Sequence, residues 1–174
     1  MYRPNVGIAL FDSLGRVLIG QRLGDDGPEI VEPGRDWQMP QGGVDPGEDI
    51  RFAAKRELRE ETGVTSAVIV SELPGRMRYD FPPYSGPPHR LARFRGQEQA
   101  WVAMRFLGED EEIDLCGDGS APPEFGAWRW EPLAQVAALV VSFRRPVYER
   151  VAAGFAPVAE AIRSGALYGV RLNE

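Results

Sequence analysis

Apolar and polar positions alternate in short blocks along this chain, and the blocks predict many elements. Residues 5–11 (NVGIALF) and 17–21 (VLIGQ) read as two strands joined by the turn DSLG, a hairpin. Residues 24–36 (GDDGPEIVEPGRD) form a polar loop rich in Gly and Pro, and 37–40 a short strand that leads into a Gly-rich turn. A helix is predicted over 49–62. Residues 68–73 and 76–81 read as a second strand pair around Pro74-Gly75. The following stretch, FPPYSGPPHRLARFRG, has the composition of a mobile connection. Residues 99–107 (QAWVAMRFL) alternate as a half-buried strand does, and 127–131 (AWRWE) make a last short one. Residues 133–138 and 146–162 are predicted helices. There are no internal repeats and no linker, so 1–174 reads as a single domain. Strands on both sides of the 49–62 helix, with more helix at the end, suggest a mixed sheet with helices on both faces.

The predicted helix carries the chemistry. Asp49 or Glu48 supplies its acidic start, and Gly63 stands where a left-handed C-cap stops a helix. Ile50, Ala54 and Leu58 recur every four residues as an apolar stripe. Glu57, Glu60 and Glu61 share one face, with Glu57 and Glu61 turned toward the core side. Acids packed there lose hydration and repel one another, so each tends toward protonation unless a cation sits among them. Magnesium or manganese fits, since both take carboxylate oxygens and keep water or phosphate as remaining ligands. The alternative is a solvated acidic face. Arg56, one turn before Glu60, either orients that carboxylate or makes an ordinary exposed pair. Gly42 and Gly43 form a loop of close backbone approach or a plain turn, which Glu48 would tie to the helix start.

Composition narrows the classes. The 174 residues are 43% hydrophobic, enough for a real core, and no run approaches a membrane span. The start MYRPN has no apolar signal region. A lone cysteine, Cys116, excludes an internal disulfide and suits a reducing cytoplasm. His89 is the only histidine, so a histidine-based metal site or a Ser-His-Asp triad is close to excluded. The net charge of −6 argues against loose binding of long nucleic acid, DNA included. Yet residues 76–95 carry Arg76, Arg78, Arg90, Arg93 and Arg95, a candidate surface for an anionic ligand. Residues 109–118 are acidic, most simply a solvated loop.

The spacing G-x5-E-x7-R-E-U-x-E-E-x-G-U (U aliphatic) is filled by Gly42, Glu48, Arg56, Glu57, Leu58, Glu60, Glu61, Gly63 and Val64. It resembles the signature of the Nudix hydrolases, which cleave a nucleoside diphosphate linked to another group. The resemblance implies an α+β Nudix fold, an α/β/α sandwich with a mixed sheet. YRPNVGIALF, WQMPQGG, RGQEQAWVAMRF, PEFGAWRW and VVSFRRPVYERV are similar to one branch, the bacterial RNA pyrophosphohydrolases, which overlap with dinucleoside polyphosphate hydrolases. That branch implies removal of pyrophosphate from the 5′-triphosphate end of RNA, a step that initiates mRNA decay. Its relative is asymmetric cleavage of diadenosine tetraphosphate. A nucleotide-sensing or RNA-binding Nudix domain without catalysis, and an enzyme for nucleotide sugars or oxidised nucleotides, are the other readings. By resemblance, Glu57, Glu60, Glu61, Glu124 and the Gly42 carbonyl hold two or more Mg²⁺ or Mn²⁺ ions, and Glu57 or Glu124 is the base. Arg3, Arg22, Tyr79, Phe143 and Arg144 match positions that contact phosphate or base. Ala100 and Arg144 stand where lysines are usual, and Arg76 where an aromatic is frequent.

Overall fold

The computed structural model describes residues 1–166; residues 167–174 of the predicted single unit lie outside the described residues. Two long strands, β1 (Tyr2–Phe11) and β7 (Gly96–Phe106), run parallel side by side, from Tyr2 opposite Gly96 to Phe11 opposite Arg105. Each changes partner part-way. β2 (Arg16–Arg22) meets β1 at the hairpin end, Phe11 opposite Val17. It then pairs with β8 (Phe125–Pro132) and β3 (Trp37–Gln38). The N-terminal half of β1 pairs instead with β4 (Gln41–Gly43). The sequence suggests one short strand and a Gly-rich turn here, but the segment is two strands on two partners. Pro40 sits between them. It has no N–H to give a ladder, and its carbonyl accepts from the Ile8 amide at 2.9 Å. Residues 37–43 thus span the opening where β2 leaves β1.

The other edge of β7 is also shared. β5 (Ala67–Glu72) pairs with its C-terminal half, and β6 (Met77–Asp80) pairs with Gly96–Gln99. The expected pairing of these two strands with each other is therefore not what forms: they lie end to end along β7. The Leu73 amide still donates to the Trp101 carbonyl at 3.0 Å, so the chain keeps its direction past β5. Pro74 then interrupts the ladder and Gly75, at φ 75°, offsets the strand instead of reversing it.

Helix α1 (Ile50–Thr62) is capped as the sequence predicts. The Asp49 carboxylate accepts from the amides of Arg51 (2.9 Å) and Phe52 (3.1 Å), and Gly63 at φ 71° ends it. Ala53, Ala54 and Leu58 pack on Val6, Ile8, Leu10 and Val102. On the other face, Val147, Tyr148, Val151 and Phe155 of α3 (Arg145–Arg163) pack on Ala9, Phe11, Trp101 and Ala103. The period-two alternation of β1 and β7 feeds both layers at once. The expected 133–138 helix is a 3₁₀ turn (Leu133–Gln135) followed by the single-turn α2 (Val136–Leu139). The α/β/α sandwich is as predicted.

Two segments read as loops have specific docking. Asp26 Oδ1 lies 2.9 Å from His89 Nε2, and its Oδ2 accepts from Arg90 Nη2 at 2.8 Å, so the 24–36 loop is clasped to the 82–95 connection. Leu91 of that connection is buried. In the acidic stretch, Glu112 Oε1 accepts from the amides of Thr65 and Ser66, both at 2.9 Å, which anchors it beside the end of α1. Those backbone donors hold the Glu112 carboxyl low despite the opposing effect of desolvation. The other acids of the stretch are exposed, as a solvated loop has them.

Candidate active site where the strands splay

The acids of α1 meet β4 and the approach to β8 at the opening between β1 and β2. Glu61 is buried, and its Oε2 accepts from the Gln41 amide at 3.2 Å. Burial pushes its carboxyl well above the ordinary carboxylate range, and the neighbouring Glu124 and Glu57 push it further. Glu124 stands at a bend just before β8, where its carbonyl accepts from the Leu23 amide at 3.0 Å. Glu57 is half-buried beneath Gly42; a side chain on Gly42 would fall inside the Glu57 carboxylate. Desolvation raises the Glu57 carboxyl too, and Arg56 only partly offsets it. The close approach of Gly42, and not a plain turn, is what the structure has.

Arg56 is the hub of this corner. Its Nε and Nη2 donate to Glu48 at 2.7 and 2.9 Å, and Nη2 also donates to the Gly43 carbonyl at 2.8 Å. Its Nη1 donates to Glu57 (2.7 Å) and Glu60 (3.2 Å). The bond to Glu48 holds that carboxyl low and the guanidinium firmly charged. Arg56 therefore orients two of the three acids and ties the glycine loop to the helix. Gly43 serves the opposite side of β4: the place of its missing side chain is filled by the Arg3 guanidinium.

The donor set suits a hard divalent cation. Glu57 and Glu124 both repel the buried Glu61, Glu57 and Glu61 are deprived of water, and the missing side chain of Gly42 lets the Glu57 carboxylate lie against the β4 backbone. Among the described residues no three acids already stand in a finished ligand arrangement. One Arg56 nitrogen shared by Glu57 and Glu60 accounts for part of this, since those oxygens face a guanidinium.

Residues 1–151 match the family model described as the NUDIX domain. The chain belongs to the Nudix family. A protein of Bradyrhizobium sp. (strain ORS 278) named RNA pyrophosphohydrolase is 52% identical over 160 residues, covering 91% of this chain and 94% of that one. Another of that name, from Nitrobacter winogradskyi, is 48% identical over 161 residues, covering 92% and 93%. Among solved structures, the fold is similar to that of the E. coli dihydroneopterin triphosphate pyrophosphohydrolase. That likeness has a TM-score of 0.61 at 19% identity, over 88% of this chain and 98% of the other. A C. elegans Ap4A hydrolase gives a TM-score of 0.56 at 19% identity, over the same shares of each chain.

Within this Nudix framework the five residues matched to substrate contact fall into two settings. Arg3 lies against Gly43, close enough to oppose, with Arg56, the rise that desolvation imposes on the Glu57 carboxyl. Tyr79 and Phe143 pack ring to ring at 5.7 Å, with the Arg144 guanidinium 5.4 Å from the Tyr79 centroid. Arg144, however, is only 1% exposed, and Arg22 is buried as well. Arg144, Arg22 and Tyr79 gather around a residue that sequence reasoning missed, Glu29. Its Oε1 accepts from the Tyr79 hydroxyl (3.0 Å), Gln97 Nε2 (2.7 Å) and Arg144 Nη2 (2.6 Å). Burial alone would raise the Glu29 carboxyl, but Arg144 and Arg22 outweigh it and hold it low. Burial likewise pushes the Tyr79 hydroxyl up, keeping it a proton donor. The Tyr148 hydroxyl, raised to about 12 by burial, donates no proton to solvent; it accepts from the Met39 amide at 2.9 Å, just ahead of β4.

Proposed function

We propose that this Nudix hydrolase removes pyrophosphate from the 5′-triphosphate end of RNA and leaves a 5′-monophosphate. The observation that carries it is an identity near one half, over nine-tenths of the chain, to proteins named RNA pyrophosphohydrolase, together with an intact row of α1 carboxylates. In this reading Glu57, Glu60, Glu61, Glu124 and the Gly42 carbonyl hold two or more Mg²⁺ or Mn²⁺ ions. When bound, such ions polarise the phosphoanhydride and lower the pKa of water.

The chain's own residues do the rest. Arg56 fixes Glu57 and Glu60 in place. Glu57 or Glu124 accepts the proton of the attacking water, whose oxygen bonds to phosphorus as the bridging P–O bond breaks and pyrophosphate leaves. Arg3 meets the phosphate charge, and the half-buried Phe143, backed by the buried Tyr79 ring, offers its face to a base with little sequence preference. No helix among the described residues is long and apolar enough to cross a membrane. A cytoplasmic site of action fits the single thiol.

The test is kcat/KM for a short 5′-triphosphate RNA against diadenosine tetraphosphate under identical Mg²⁺. Higher efficiency on the RNA is expected, and a Glu60→Gln variant should lose turnover on both. Preference for the dinucleotide would transfer the assignment to dinucleoside polyphosphates. Binding of either without product, at any metal concentration, would end the enzymatic reading.

A further inference from the structure

Between the buried Glu29 cluster and the candidate metal corner runs one continuous set of hydrogen bonds. Arg144 Nη2 donates to Glu29, its Nη1 donates to Gln38 Oε1, and Gln38 Nε2 donates to Glu124 Oε1 at 3.4 Å, the loosest link. Gln38 is 2% exposed, and its backbone is fixed in β3 opposite Gly20. Glu124 differs in every respect: it is exposed, it sits at a bend outside any strand, and it follows an irregular stretch. Its backbone alone does not aim its carboxylate.

The chemistry of the middle residue decides the direction of the chain of bonds. A carboxamide has one end that accepts and one that donates, whereas a guanidinium can only donate. Arg144 therefore must face the Gln38 oxygen, and the amide nitrogen is left to face Glu124. The reverse orientation would put N–H against N–H at one end and oxygen against carboxylate at the other. Glu29 in turn keeps Arg144 from rotating away, because a buried guanidinium is costly without its counter-charge. So the interior of the fold, through one glutamine, presents a donor to the one site acid that lies outside α1.

We propose that Gln38 is a positioning residue for Glu124, oriented by the Arg144–Glu29 pair so that its amide nitrogen sets the direction of the Glu124 carboxylate. This rests on the reading of Glu124 as a residue of the active site. It also gives the buried Arg144 a purpose that needs no contact with substrate.

The test uses Gln38→Met, which keeps the volume and removes both hydrogen bonds, Glu124→Gln, and the double variant. Turnover of a 5′-triphosphate RNA and Mn²⁺ affinity of the substrate-free protein are both measured. Gln38→Met is expected to lower kcat about tenfold with KM nearly unchanged, as losing an orienting partner does. In the Glu124→Gln background it should lower kcat no further. Its Mn²⁺ affinity should shift in the same direction as that of Glu124→Gln, with no added shift in the double variant. Should Gln38→Met fail to fold, Arg144→Lys serves instead, with a smaller loss that again disappears in the Glu124→Gln background. Independent, multiplying losses would overturn the proposal. So would an impaired Glu124→Gln beside an unimpaired Gln38→Met, which leaves the active-site reading standing. Wild-type turnover by Glu124→Gln would instead remove Glu124 from the site and the proposal with it.

Discussion

A methyl group at Gly42 has no room except the space of the Glu57 carboxylate. Gly42→Ala is therefore expected to keep the fold and lower kcat about 10²-fold, the usual cost of displacing a catalytic group by an ångström. Circular dichroism beside steady-state turnover checks it. Glu61 makes a second prediction. Its carboxyl is raised in the folded chain, so the native state binds that proton more tightly and loses stability as pH rises above the ordinary carboxylate range. Glu61→Gln should raise the Tm of the metal-free protein at pH 7, less so as pH approaches 4, while abolishing turnover. An unchanged Tm at pH 7 would contradict the desolvation argument. At this scale the three α1 acids were readable because helical spacing alone puts them together. Glu29 was not. Its partners Tyr79, Gln97 and Arg144 lie 50, 68 and 115 residues away, and it sits in a stretch whose composition says only loop.

Elements were legible where local rules govern them. Asp49 and Gly63 bound α1 by caps that need no tertiary information. Asp49→Ala should cost about 1 kcal/mol, read from urea unfolding. Pairing was less legible. β5 and β6 look like a hairpin because Pro74-Gly75 looks like its turn, but β7 is long enough to give both strands a partner. The glycine loop reads as a turn until β1, abandoned by β2, offers it a ladder. In both cases the deciding strand lies far along the chain, and no local pattern names it.

For the molecule as a whole, two apolar layers and, among the described residues, the buried Arg144–Glu29 pair share the load. Glu29→Gln leaves Arg144 buried without its counter-charge, and a loss of about 3 kcal/mol at neutral pH is expected. The Glu29 carboxyl is held below its ordinary value, so its contribution is complete above that value and lost as pH falls through the folded one. The gap between wild type and variant should narrow in acid, measured by unfolding across pH 3–7. That dependence runs opposite to the one at Glu61, so the acid limb of the whole protein reflects both.

Asp26 reaches across to His89 and Arg90, and the His89 ring takes the place a side chain on Gly27 would need. An engineer who transplants one of these excursions into a sister scaffold would carry over half of a handshake. Chimaeras that exchange 24–36 together with 82–95 should be recovered in good yield, whereas swapping either alone should leave a proteolysis-prone flap.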